Sequence, residues 1–132
     1  MNAQAHVLIV RALYDAFARR DIPAMMELLS PEVEWGEPPN PFNPAGGVRH
    51  GHAGFLEWVE IGRRSEDILS LEVRKMLVDE DSVAVVGFMR CRVLSTGKEY
   101  ESDFVHLITF VGGKVISFRE FFDTYAAGEA FR

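Results

Sequence analysis

Residues 104–122 read FVHLITFVGGKVISFREFF, two runs of alternating side chains around a glycine pair. Successive side chains on a strand point to opposite faces, so this segment is predicted to fold back on itself as a β-hairpin. With residues 111–113 as the loop, Phe110 faces Lys114 and every residue finds a partner on the returning strand. One face then carries Phe104, His106, Ile108 and Phe110 beside Ile116, Phe118, Glu120 and Phe122. Two ionisable groups, His106 and Glu120, stand on this apolar face as diagonal neighbours, about 7 Å apart. A buried acid and a buried imidazole are costly unless paired or used. The hairpin therefore predicts a pocket with acid–base capability, with Glu120 and His106 as candidate catalytic residues.

The segments before the hairpin supply its neighbours. Residues 82–94 form a long β-branched run, residues 68–78 alternate imperfectly, and Asp79-Glu80-Asp81 and Ser95-Thr96-Gly97 make the turns. Earlier still, Val7, Val10, Leu13, Tyr14 and Phe17 recur at helical spacing through residues 3–20. Asp21 is placed to cap a second, short helix with Pro23 in its first turn, ended by Ser30-Pro31. Residues 32–37 alternate as a strand, and EPPNPFNPAGG (37–47) is an irregular surface loop. Residues 51–64 read as a third helix with Phe55, Leu56, Trp58 and Val59 turned inward. Three helices in the N-terminal half followed by a strand meander predict an α+β domain, a curved antiparallel sheet closed by helices into a conical barrel. A cone of this kind leaves room for a ligand.

At 132 residues the chain is expected to be one domain, residues 1–132. A net charge of −6 argues against a nucleic-acid partner, which would need a basic face. Apolar runs are too short for a membrane-spanning helix, and the N-terminus lacks a secretory pattern. With Cys91 as its single cysteine, the chain fits a reducing, cytoplasmic location and no membrane partner.

The helical opening LYDAFARRDIPAMMELLSPEVEW (13–35), the VRHGHAGFLEWV segment (48–59) and the closing HLITFVGGKVISFREFFDT (106–124) together resemble the nuclear transport factor two-like superfamily. Within it they are most similar to the branch of ketosteroid isomerases and SnoaL-like polyketide cyclases. The resemblance implies a conical α+β roll, often homodimeric through the outer sheet face, binding a small hydrophobic molecule without a cofactor. The isomerases carry a catalytic carboxylate just after the first strand, where Glu37 stands; a solvated acid at the loop rim is the other reading of Glu37. The isomerases' oxyanion-holding acid corresponds to His106, and their helix-one tyrosine falls near Leu13, with Tyr14 about 100° further round the helix. Their oxyanion hole is therefore not expected here. The cyclases use a histidine and an aspartate on the last two strands, to which His106 and Glu120 correspond.

The resemblance thus implies a cofactor-free isomerase or aldol-type cyclase acting α to a carbonyl, or a non-catalytic ligand-binding protein of the same fold. Trp35, Phe55, Trp58, Phe104, Ile108, Phe118, Phe122 and Tyr14 are the expected pocket residues. Asp123 is read as a cap, and Arg119 alternates to the outer face. His50 and His52 lack acidic companions at a ligand spacing, so no metal is expected.

Overall fold

The computed structural model describes residues 2–132. Helix α1 (Ala3–Ala18) buries His6, Val10, Leu13 and Ala16, one face at three- to four-residue spacing. It ends where Arg20 turns to φ 57 and the Asp21 and Arg20 N–H groups donate back to the Ala16 and Phe17 carbonyls at 2.8 and 3.0 Å. Asp21 then caps α2 (Ile22–Leu28), accepting from the Ala24 N–H at 3.1 Å, with Pro23 in the first turn as read from the sequence.

Strand β1 (Leu29–Glu37) starts at Leu29 rather than at residue 32, and the proline-rich loop delivers an unforeseen β2 (Gly47–His50). Four residues are too few to register as an alternation. Helix α3 (Gly51–Ser65) follows; Phe55 is fully buried, whereas Leu56, expected inward, is 42% exposed. Residue 56 lies about 100° round the helix from Phe55, and the inner face is already taken by Phe55, Trp58 and Val59. The meander consists of β3 (Glu66–Val78), β4 (Ser82–Val93), β5 (Glu99–Val111) and β6 (Lys114–Phe122). A fourth helix, α4 (Thr124–Phe131), adds to the three expected; Asp123 caps it, accepting from the Ala126 N–H at 3.0 Å.

The six strands form one curved sheet in the order β2-β1-β6-β5-β4-β3. Every neighbouring pair is antiparallel except β1–β6, which runs parallel. More than half of the chain lies between those two strands, so no tight turn dictates their direction. The curved sheet is open, and helices cover its concave side as expected. Its edges are β2 and β3, and α3, which links them, packs against β1, β2 and β3. Bulges between Ile68 and Ser70 and between Val73 and Lys75 on β3 add twist to this curvature. At Gly87 on β4 the Phe104 ring lies so close that a Cβ would stand 2.4 Å from Cζ and 2.2 Å from the Glu72 carbonyl oxygen.

The closing hairpin has a register of its own. Its loop is two residues, Gly112-Gly113, at φ 58 and 79, with Val111 opposite Lys114. Both angles are left-handed, which suits glycine and a tight hairpin turn. That turn alone would set Arg119 opposite His106 and send Glu120 outward. A bulge at Ile116 shifts the pairing once more, so His106 faces Glu120 directly and Val115, not Ile116, enters the core.

Helix α4 clamps the proline-rich loop. Asn40 Nδ2 donates to the Thr124 carbonyl at 2.9 Å, Gly128 leaves room for the Asn40 amide, and the Arg132 guanidinium lies 5.0 Å over the Phe42 ring. Among the described residues no helix is long and apolar enough to cross a membrane.

Candidate functional site

Inside the curve, three adjacent strands bring three ionisable groups into one row. His106 on β5 is paired with Glu120 on β6, and Trp35 of β1 is paired with Phe118 of β6, their rings stacked at 3.9 Å. Two residues on, with the parallel register kept, Glu37 stands beside Glu120. Neighbouring strands are about 4.8 Å apart, so the row Glu37–Glu120–His106 is contiguous. His106 Nε2 lies 2.6 Å from Glu120 Oε2, and His106 Nδ1 lies 2.5 Å from the Tyr14 hydroxyl of α1. Phe104 and Phe118 flank the imidazole at 4.3 and 4.8 Å between ring centroids.

Burial, reinforced by the Glu120 charge, holds the Tyr14 phenol well above its ordinary pKa. The phenol therefore keeps its proton and donates it to Nδ1, and the imidazole's own N–H, on Nε2, donates to Glu120. Glu37 is not the solvated rim acid of the second reading. It is 6% exposed, and its two oxygens accept from Asn43 Nδ2 and Trp58 Nε1, each at 2.9 Å. Burial first, and then the Glu120 charge, push its pKa up to about 7 against the pull of those two donors.

These groups line one cavity inside the curve of the sheet. Tyr14, Trp35, Trp58, Phe118 and Phe122 stand on its wall. Phe55, Phe104 and Ile108, expected beside them, do not line it. They sit a layer behind, wholly or almost wholly buried, with Phe55 edge-on to Trp35 and Phe104 stacked on the back of His106.

Three further polar residues line the cavity that sequence reasoning missed. The Tyr100 hydroxyl of β5 donates to Glu66 Oε2 at the start of β3, at 2.8 Å, and Cys91 of β4 lies beside them. Burial, partly offset by the Tyr100 bond, lifts the Glu66 pKa to about 7, and burial pushes the Cys91 thiol up to about 12. A thiol held protonated is no nucleophile. Asn43, the donor that holds Glu37, was also missed because it lies in a loop with no period. Arg119 faces out, as expected, with a buried Nε that has no hydrogen-bond partner among the described residues. His50 and His52 lie apart from the cavity, His52 bonded to the Leu29 carbonyl at 3.1 Å, and the described residues contain no group of three potential metal ligands.

The fold and this cavity define a class, the nuclear transport factor two-like proteins. Residues 10–118 match the SnoaL-like domain, and the chain belongs to that family. A nuclear transport factor two-like protein of Burkholderia xenovorans LB400 superposes with a TM-score of 0.91 at 31% identity, covering 100% of this chain and 99% of its own. TerC, crystallised with polyporic acid, superposes at a TM-score of 0.81 with 30% identity over 96% of this chain and 98% of its own. An uncharacterised protein of Mycobacterium tuberculosis is 25% identical over 99% of this chain and 98% of its own length.

Proposed function

We propose that this protein binds a small, mostly apolar aromatic molecule bearing a carbonyl group and moves a proton beside that carbonyl without a cofactor, as an isomerase or aldol-type cyclase. The observation that carries the reading is the row Glu37–Glu120–His106, extended by Tyr14, facing an aromatic-walled cavity. The co-crystallisation of TerC, at 30% identity, with polyporic acid supports an aromatic ligand here as well.

In this reading Glu37 is the base. A carboxylate poised near neutrality takes a carbon-bound proton far better than one with an ordinary pKa. The proton leaves the α carbon for a Glu37 oxygen, and the electron pair moves onto the carbonyl oxygen as an enolate. Tyr14, His106 and Glu120 supply the donor for that oxygen. When Glu120 takes up a proton from solvent the chain reverses: Glu120 donates to Nε2, Nδ1–H donates to the Tyr14 oxygen, and the phenol O–H turns to the enolate. Return of the proton to another carbon completes an isomerisation; attack of the enolate carbon on a second carbonyl completes a cyclisation.

A second reading, binding without turnover, is favoured by one feature: both Glu37 oxygens already hold protein donors. Exchange with solvent separates the two. 2-Tetralone in D2O, followed by proton NMR, is expected to lose its α protons faster with the wild-type protein than in buffer. Glu37→Gln should lower that rate by about 100-fold or more. A ketone that is bound but not exchanged would establish the binding-only reading.

The same reading takes the protein as a cytoplasmic homodimer. Its single thiol is buried and protonated, in keeping with a reducing compartment. Val105, Leu107 and Phe121 form an exposed apolar patch on the outer sheet face, suited to a second copy.

A further inference from the structure

We propose that Glu66 and Tyr100 form a second polar subsite, one that accepts a hydroxyl group at the far end of the ligand. The ligand class then narrows from a hydrophobic carbonyl compound to an aromatic molecule with oxygen functions at both ends. This rests on the cavity being a ligand site, and it adds a specificity determinant separate from the groups that move the proton.

Geometry carries it. Tyr100 and His106 lie on the same face of β5, six positions apart, which is about 20 Å of strand. Both line one cavity, and the stretch of wall contributed by Ile68, Leu71 and Met89 is apolar. The polar groups thus form two clusters on one aromatic and aliphatic wall, near enough for the Glu120 charge to act on Glu66 and the Glu66 charge on Glu37. At the second cluster, the Tyr100 proton is committed to Glu66 Oε2, while Glu66 Oε1 has no donor among the described residues. Once Glu66 is ionised, above about pH 7, that oxygen is an acceptor on the cavity wall and calls for a donor. A hydroxyl supplies one; a bare carbonyl does not.

A structural role alone leaves the pair unexplained. The α3–β3 junction would be held equally well by two apolar side chains, because replacing both members of a buried polar pair by apolar groups is close to neutral. The pair has a use when a ligand group completes it. No covalent step is involved, since the ligand oxygen keeps its proton and donates it to Oε1.

The test compares 4,4′-dihydroxybiphenyl with 4-hydroxybiphenyl, binding being read from quenching of Trp35 and Trp58 fluorescence. At pH 8, where Glu66 is ionised, wild type is expected to bind the diphenol about tenfold tighter, the worth of one buried hydrogen bond to a charge-bearing acceptor. In the double variant Glu66→Met/Tyr100→Phe, which leaves no member of the pair stranded, the ratio should fall to about two, the statistical factor of a symmetric ligand. Binding of the monophenol within about twofold of wild type, still at the Tyr14–His106 end, would show that the variant keeps its cavity. A tenfold preference that survives in the variant overturns the subsite. So does a wild-type protein that binds both phenols equally, and the cavity reading then stands without it. If neither phenol binds wild type, the cavity reading falls and takes the subsite with it.

Discussion

Glu37 and Glu66 keep their protons in the folded protein up to about pH 7, whereas an ordinary glutamate loses its proton near 4.5. Between those values the folded chain binds more protons than the unfolded one, so their contribution to stability falls as pH rises. It is fully present below about pH 4.5 and lost by about pH 7. For Glu66, a gap of about 2.5 pH units at ~1.4 kcal/mol per unit bounds the effect near ~3 kcal/mol. Urea unfolding at pH 5 and pH 8 should therefore show wild type losing more stability across that interval than Glu66→Gln does, by about 1–3 kcal/mol. Equal losses would mean that Glu66 is solvated in the native state. Single residues were legible where a period exposed them. His106 and Glu120 stand out because strand alternation assigns each to a face. Glu66 follows Arg63-Arg64-Ser65 and Tyr100 sits within KEYES, so both look like solvated turn residues. Tyr14 was read onto the pocket, but helical spacing gives a direction and not a reach, and its bond to Nδ1 could not be counted.

Elements set how those residues meet. The hairpin sequence gives the correct faces for His106 and Glu120 but the wrong partners, because two one-residue displacements, the tighter turn and the Ile116 bulge, add to a shift of two. A shift of two preserves which side chains point inward and changes which ones touch. Neither displacement has a period of its own. Helix α4 escaped for a related reason: TYAAGEAF is short, and its buried Ala127, Gly128 and Ala130 make little hydrophobic pattern. Strand β4 offers a sharper test of packing. Gly87→Ala would drive a methyl into the Glu72 carbonyl and the Phe104 ring, which backs His106. It should cost about 3 kcal/mol and displace the His106 ring resonances in an NMR spectrum. A variant as stable as wild type with unmoved His106 signals would show that the sheet yields easily there.

Over the whole molecule, the sheet has one face turned to the cavity and helices and one face turned outward. The outer face mixes Val105, Leu107 and Phe121 with Arg119, whose buried Nε has no partner among the described residues. For the proposed homodimer, light scattering should give twice the 14.9 kDa chain mass, and Leu107→Lys/Phe121→Asp should give one chain mass with unchanged circular dichroism. A wild-type protein that is already a monomer at high micromolar concentration would end that proposal. Chain order was enough to read the class of fold, since helices grouped early and strands grouped late permit few arrangements. The open edge and the parallel β1–β6 pair depend on contacts between distant segments, which no local pattern reports. The clamp made by α4 has a practical side. From Thr124 and Gly128 it holds Asn40, whose Oδ1 accepts from the Asn43 N–H at 3.2 Å, and Asn43 in turn donates to Glu37. A purification tag fused beyond Arg132, or a truncation into the last helix, would therefore reach the ionisation of an acid it never touches. A tagged and an untagged preparation could differ in pH optimum with identical cavities.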